Sequence, residues 1–278
     1  MGARWLLPLT LLLISGCEDK STSVRDVTAP AAPRAVYTVT GDGEVFVRWL
    51  ANTEYDVAGY RIYQAPCESG SNCPYDRVGS TTGTSFTVSG LANGVTHFYA
   101  VAAYDESGNE SDLSYEVLFD TPRPEGFGLR LNNYLDIVDD SGYDFSAAAS
   151  RVWDDLSTDM FFGYNGSVFQ MFVPDFQTDI QDAGYASSLD AVDFAPNAGW
   201  SPTGSVELIV GHCYVVWTRD DNYAKFRVTE IHPSPAPGVP ATVRFDWAYQ
   251  VDPGNRELRA SRVKDGRRGE TRPLHWPG

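Results

Sequence analysis

The chain has 278 residues and carries 21 Lys and Arg against 37 Asp and Glu, a formal charge of −16. At roughly 100–200 residues per domain, that length suggests about two domains. A hydrophobic fraction of 42% with 13% aromatics supports packed cores and excludes wholesale disorder. So acidic a chain lacks the electrostatic footprint of a nucleic-acid binder and any polybasic grip on anionic lipid.

Arg4 gives the chain a positive start, and Trp5 to Ile14 form an apolar run broken only by Pro8 and Thr10. At about ten residues the run is too short to cross a bilayer, which takes roughly 20, and it has the proportions of a secretory h-region. It closes on Ile14-Ser15-Gly16-Cys17, which resembles a bacterial lipobox. That resemblance implies a signal peptide over residues 1–16, cleavage before Cys17 and a diacylglycerol on the Cys17 sulfur. Residues 17–30, polar and then rich in Ala and Pro, read as a tether. The expected location is the cell envelope, lipid-anchored at the outer membrane or cell surface.

An exported chain meets an oxidising compartment, and Cys67 and Cys73 close a short loop suited to a disulfide. A metal site is the poorer reading, because zinc wants four ligands and no other Cys or His lies near. Cys213 sits in an apolar run and reads as a buried small hydrophobe.

Over residues 31–122 apolar side chains alternate with period two. Val45, Val47 and Trp49 share one phase, Tyr60 and Ile62 another, Phe86 and Val88 a third. Gly41-Asp42-Gly43, Ser80 to Gly83 and Ala92-Asn93-Gly94 punctuate them, the pattern of a β-sandwich. Pro30 to Pro33, Trp49, Gly59-Tyr60-Arg61-Ile62-Tyr63, Gly90 to Gly94 and Tyr99 to Ser111 together resemble a fibronectin type III domain. The resemblance implies a spacer or binding sandwich with no reaction of its own. His97 stands where that family places its corner tyrosine, and is read as a structural substitute. Trp49, in phase with Val45 and Val47, is read as core.

Thr121 to Gly126, with Pro122 and Pro124, reads as a short stiff linker. Residues 126–258 are expected to form a second antiparallel β domain, so the fold class is all-β. The first half of this domain is crowded with aspartates, opposed only by Arg130 and Arg151. Val206 to Thr218 reads as one apolar strand, turning at Arg219 to Asn222 into Tyr223 to Ile231 and then Ala241 to Gln250. The run Tyr214 to Val228, with Asp144-Phe145-Ser146 and Ser157 to Phe162, resembles HmuY-like lipoproteins, an all-β family that includes haem scavengers. Under that resemblance His212, His232, Met160 and Met171 are the side chains chemically able to ligate iron. Each also has an ordinary reading, the histidines at strand ends and the methionines in the core.

Asp139, Asp140 and Asp144 offer hard oxygen ligands within one turn, a calcium reading that lacks EF-hand spacing. Asn165-Gly166 reads as a tight turn. No Gly-x-Ser-x-Gly elbow, His-Glu-x-x-His helix or phosphate-cradling loop occurs. Residues 259–278 form a basic tail.

These observations lead to a lipid-anchored envelope protein with a non-catalytic binding or scaffold role, the sandwich as spacer and the second domain as ligand surface. No cofactor is expected. The expected partners are the membrane, through the anchor, and a protein or glycan of the envelope. The alternatives are capture of a small haem-like ligand and, third, an enzyme acting on envelope polysaccharide.

Overall fold

The computed structural model describes residues 26–68, 73–115 and 118–258. Cys17, the signal peptide, most of the tether and the basic tail lie outside the described residues. Among the described residues no helix is long and apolar enough to cross a membrane.

The first domain comprises β1 (Arg34–Thr40), β2 (Glu44–Leu50), β3 (Val57–Ala65), β4 (Asp76–Thr81), β5 (Ser85–Ser89), β6 (His97–Asp105) and β7 (Leu118–Asp120). They form a 3-stranded sheet, β1-β2-β5, facing a 4-stranded sheet, β4-β3-β6-β7, with antiparallel pairing throughout. That division of seven strands is the fibronectin type III sandwich. The alternation read from the sequence explains it: Val45, Val47 and Trp49 of β2 and Tyr60 and Ile62 of β3 all point into one buried cluster with Val36, Val88, Tyr99, Val101 and Leu118. Trp49 packs edge-on against Tyr60 with centroids 5.2 Å apart, so its role is core. Cys67 and Cys73 are disulfide-bonded, with Cα atoms 5.4 Å apart, and staple the β3–β4 connection. His97 opens β6 opposite Asp120, and burial lowers its imidazole below the usual range.

The second domain comprises β8 (Glu125–Asn132), β9 (Gly142–Asp144), β10 (Ala149–Arg151), β11 (Met160–Tyr164), β12 (Phe169–Phe172), β13 (Asp179–Tyr185), β14 (Ser205–Glu207), β15 (His212–Trp217), β16 (Tyr223–His232) and β17 (Thr242–Gln250). A 5-stranded sheet ordered β13-β15-β16-β17-β8 packs on a second 5-stranded sheet ordered β10-β9-β11-β12-β14. The β15-β16-β17 meander follows the sequence reading. The expectation of one strand over Val206 to Thr218 does not hold: Leu208 to Gly211 interrupt it, and its two halves belong to different sheets. Gly211, at φ 90°, makes the break, in a conformation that side-chain-bearing residues disfavour. The core between the sheets is dense in rings, including Tyr143, Phe145, Phe162, Tyr214, Phe226, Phe245 and Trp247. Cys213 is fully buried on the outer side of the meander beside Ala186, Leu189 and Ala248, and burial raises its thiol to about 11.

The segment between the sandwiches is buried rather than a free linker. Thr121 and Arg123 are shielded from solvent, Gly94 donates to the Pro122 carbonyl, and Arg123 donates its N–H to Gly41. Pro124 accepts from the Tyr249 N–H, which carries the chain straight into β8. A Cβ on Gly94 would lie 2.6 Å from a Val251 methyl, so the turn before β6 seats directly on the end of β17. The two sandwiches therefore share a packed seam.

Candidate functional site: an aromatic face on the second domain

Strand alternation decides where the site lies. In β11, Met160, Phe162 and Tyr164 point inward, which leaves Phe161 and Gly163 on the outer face. In β12, Phe169 and Met171 point inward and Phe172 outward. The outer face thus carries Phe161 and Phe172, stacked at 5.1 Å across the β11–β12 pair. Tyr134 joins them at 5.2 Å and Trp153 at 5.4 Å from Phe161, with Tyr134 and Trp153 also 5.4 Å apart. Gly163 permits this closeness. A Cβ there would meet Phe172 at 2.8 Å and Tyr134 at 2.9 Å, so only glycine lets the rings lie against the strand.

Hydrogen bonds hold the two loops that supply Tyr134 and Trp153. The buried Asn133 amide donates to Asp136 (2.9 Å) and to the Tyr164 carbonyl (3.1 Å), and its oxygen accepts from the Tyr164 N–H at 2.9 Å. The Ser141 hydroxyl donates to Val138 and accepts the Trp153 N–H at 3.1 Å. Thr158 ties back to the Val152 carbonyl at 2.8 Å. Arg219 donates to the carbonyls of Leu156 and Thr158 and pairs with Asp175 at 3.1 Å, joining the Leu156 loop to the Phe176 loop. Leu156 and Phe176 are 90% and 95% exposed, far beyond what burial economy favours. Asp136, Asp139, Asp140, Asp154 and Asp155 are exposed on the same loops. The face therefore sets the half-buried rings of Tyr134, Trp153 and Phe172 around Phe161, itself only 9% exposed, with a rim of carboxylate acceptors. It can stack on the C–H faces of a ligand and accept hydrogen bonds from that ligand's hydroxyl or amino edges.

The side chains singled out for iron do not converge. Met160 and Met171 are wholly buried in the inter-sheet core. His212 begins β15 with Nδ1 3.0 Å from Asp182, and His232 ends β16 beside Glu230 at 3.2 Å. The proposed calcium turn does not converge either. Asp139 and Asp140 are exposed, and Asp144 is taken up by Ser146, the Ala147 N–H and Arg151 (3.1 Å). Burial pushes the Asp144 carboxyl upward, yet those three donors hold it below the ordinary range. Among the described residues, three carboxylates converge elsewhere: Asp26, Asp56 and Asp105 bring ligand atoms within 4.8 Å of one another at the base of the first sandwich. Asn109 already satisfies both Asp105 oxygens at 2.8 Å.

No family model matches the chain. Part of it is similar to an amylopullulanase of Thermoanaerobacterium saccharolyticum, 29% identical over 154 residues, 55% of this chain and 11% of that protein. An α-amylase of Niallia circulans is 37% identical over 102 residues, covering 36% of this chain and 7% of that enzyme. Chitinase A1 of the same organism is 34% identical over 103 residues, 36% of this chain and 13% of the enzyme. The chain thus spans about a tenth of the length of these curated relatives. Among solved structures, an Fn3-like protein from Clostridium thermocellum is 23% identical with a TM-score of 0.28, covering 33% of this chain and 92% of that one. A β-1,2-glucanase from Parabacteroides distasonis gives 24%, a TM-score of 0.30, and 37% and 14% coverage. The similarity to the enzymes is that of a short module within long proteins, and the strand order fixes the first module as a fibronectin type III sandwich.

Proposed function

We propose that this chain is a non-catalytic binding protein of the cell envelope, in which the first sandwich spaces and orients a glycan-binding second domain. The observation that carries the reading is the outer-face aromatic quartet Tyr134, Trp153, Phe161 and Phe172, rimmed by carboxylates. Sugars offer apolar C–H faces with hydroxyl edges, which matches rings set inside an acceptor rim. The relatives that share part of the sequence are named for starch and chitin degradation, which supports carbohydrate as the ligand class. The lipobox-like Ile14 to Cys17 supports lipid anchoring, and growth with a labelled fatty acid tests it through loss of label in Cys17→Ala.

The binding test is retention of the purified full chain on insoluble polysaccharides: starch, cellulose, chitin and peptidoglycan. Retention on at least one, lowered about tenfold in affinity by Trp153→Ala, is the expected outcome. Passage through all four sinks the glycan reading, as does retention that Trp153→Ala and Tyr134→Ala leave intact.

A further inference from the structure

The opposite outer face of the second domain carries a separate, open-mouthed site. Where β8 leaves the seam, Glu125 and Phe127 stand beside Arg227 of β16 and Asp246 of β17, under the turn formed by Ser187 to Asp190. These residues line a cavity of roughly 300 Å³, the lower end of the range for small-ligand pockets. Arg227 and Asp246 face each other across the β16–β17 pair. Asp246 accepts the Gly128 N–H at 2.8 Å, and Arg227 donates Nε to the Ala186 carbonyl at 2.8 Å. Those bonds fix both side chains while leaving the second carboxylate oxygen and the terminal guanidinium nitrogens for another partner.

Behind the cavity wall lies an unusual charge arrangement. Arg123 is wholly buried, and none of its three side-chain nitrogens has a hydrogen-bond partner. One of its counter-ions is Asp190 at 4.0 Å, a residue that lines the cavity. Lys225, equally buried, approaches the same Asp190 oxygen to 3.9 Å. Lys225 also donates to the Val192 carbonyl at 3.1 Å, so the costly unsatisfied donors here are those of Arg123 alone, and they lie against the carboxylate that lines the cavity. The lining sets three carboxylates, Glu125, Asp190 and Asp246, beside the Arg227 guanidinium, with Arg123 and Lys225 buried behind it and Asp120 and Glu257 also acting on Arg123. Acceptors and a donor group thus face the cavity together, which suits a ligand whose hydroxyls both donate and accept. Phe127, 72% exposed at the lip, adds a ring face.

We infer that this junction cavity, formed by Glu125, Phe127, Asp190, Arg227 and Asp246, binds a single neutral sugar unit. Paired carboxylates and a guanidinium match vicinal hydroxyls, and the Phe127 ring covers the sugar's C–H face. The site is distinct from the aromatic quartet, and it deepens the glycan reading by adding a pocket that takes one sugar residue rather than a polymer surface.

The experiment is a titration of the isotope-labelled full chain with glucose, mannose, galactose and N-acetylglucosamine, read on backbone amides by NMR. Saturable shifts at Gly128, Ser187 and Ser188 are expected for at least one sugar. Phe127→Ala, which removes an exposed ring and leaves the core intact, weakens that binding about tenfold. Asp246→Asn weakens it comparably, whereas Trp153→Ala leaves it unchanged. Absence of saturable shifts at these amides with all four sugars overturns the inference, and so does saturation that survives both Phe127→Ala and Asp246→Asn. Because Trp153→Ala reads only the quartet, loss of polymer retention and loss of monosaccharide binding are separable results.

Discussion

The two sandwiches bury their chains by the same alternation yet use aromatic residues differently. In the first, the core is chiefly Val, Ile, Leu and Ala, and the described ring contacts are isolated pairs, Trp49 with Tyr60 and Phe98 with Phe119. In the second, rings form networks both inside the sheets and outside them. A sandwich needs only one inner face to fold. A network of rings on an outer face is more than folding requires, which is why ligand contact is assigned to the second domain and spacing to the first.

The largest test of this contrast removes a ring from the second core. Phe226→Ala should cost about 4 kcal/mol, because Phe226 is fully buried and packs on Tyr214 and Phe245. Calorimetry should show the second domain's transition falling. If the seam couples the sandwiches, the first domain's transition falls with it; two independent transitions would break the idea of a shared unit.

Arg123→Ala addresses the seam itself. It strips the buried Asp120 of its cationic neighbour, and losses of that kind run to about 3 kcal/mol. The expected signature is one unfolding transition split into two. A double variant with Asp120→Asn should recover much of the loss, since Asp120 then no longer stands as a buried carboxylate without its cation. Failure of that rescue would assign Arg123 a packing role only.

The smallest effect is a pH dependence contributed by Asp159 of the second domain. Asp159 is buried, and burial raises its carboxyl to about 6, although the Phe145 N–H bonds it at 2.9 Å. The folded form thus holds a proton that an unfolded chain, titrating near 3.8, releases. Stability from this group is present at low pH and fades as pH rises through about 6. Between about pH 7 and 5 the gain should reach about 1 kcal/mol. Urea melts across that window should show a gain that Asp159→Asn reduces by this amount, the buried Asp120, also raised to about 6, contributing alike in both chains; equal gains would refute the assignment.

Much of the first domain was legible because its information is local. Turn clusters separate period-two runs, and each run states which face it buries. The Cys67–Cys73 staple was legible for the same reason, its two ends being close in the chain. The second domain was harder. Val206 to Thr218 looks continuous because the break at Leu208 to Gly211 is itself apolar until Gly211, and hydrophobicity does not report a change of sheet. The aromatic quartet gathers two strand residues and two loop residues spread over 134–172, so no window contains it. A signal was present: Met160-Phe161-Phe162 and Phe169 to Phe172 place rings in both phases of a strand, which a one-sided core cannot absorb. The methionines offered as iron ligands fell in the inward phase, where the core claims them. Arg123 was hidden differently. Flanked by prolines it reads as linker, and only the docking of two sandwiches buries it.

That docking also sets what the molecule does under load. Gly94 seated on Val251, with the strand of Arg123 bonded to Gly41 on one side and continuous with β8 on the other, leaves no slack between the halves. A torque applied at the base of the first sandwich passes to the second through these contacts rather than through a free hinge. While the seam stays closed, the ring-bearing face is held at a set angle to the first sandwich.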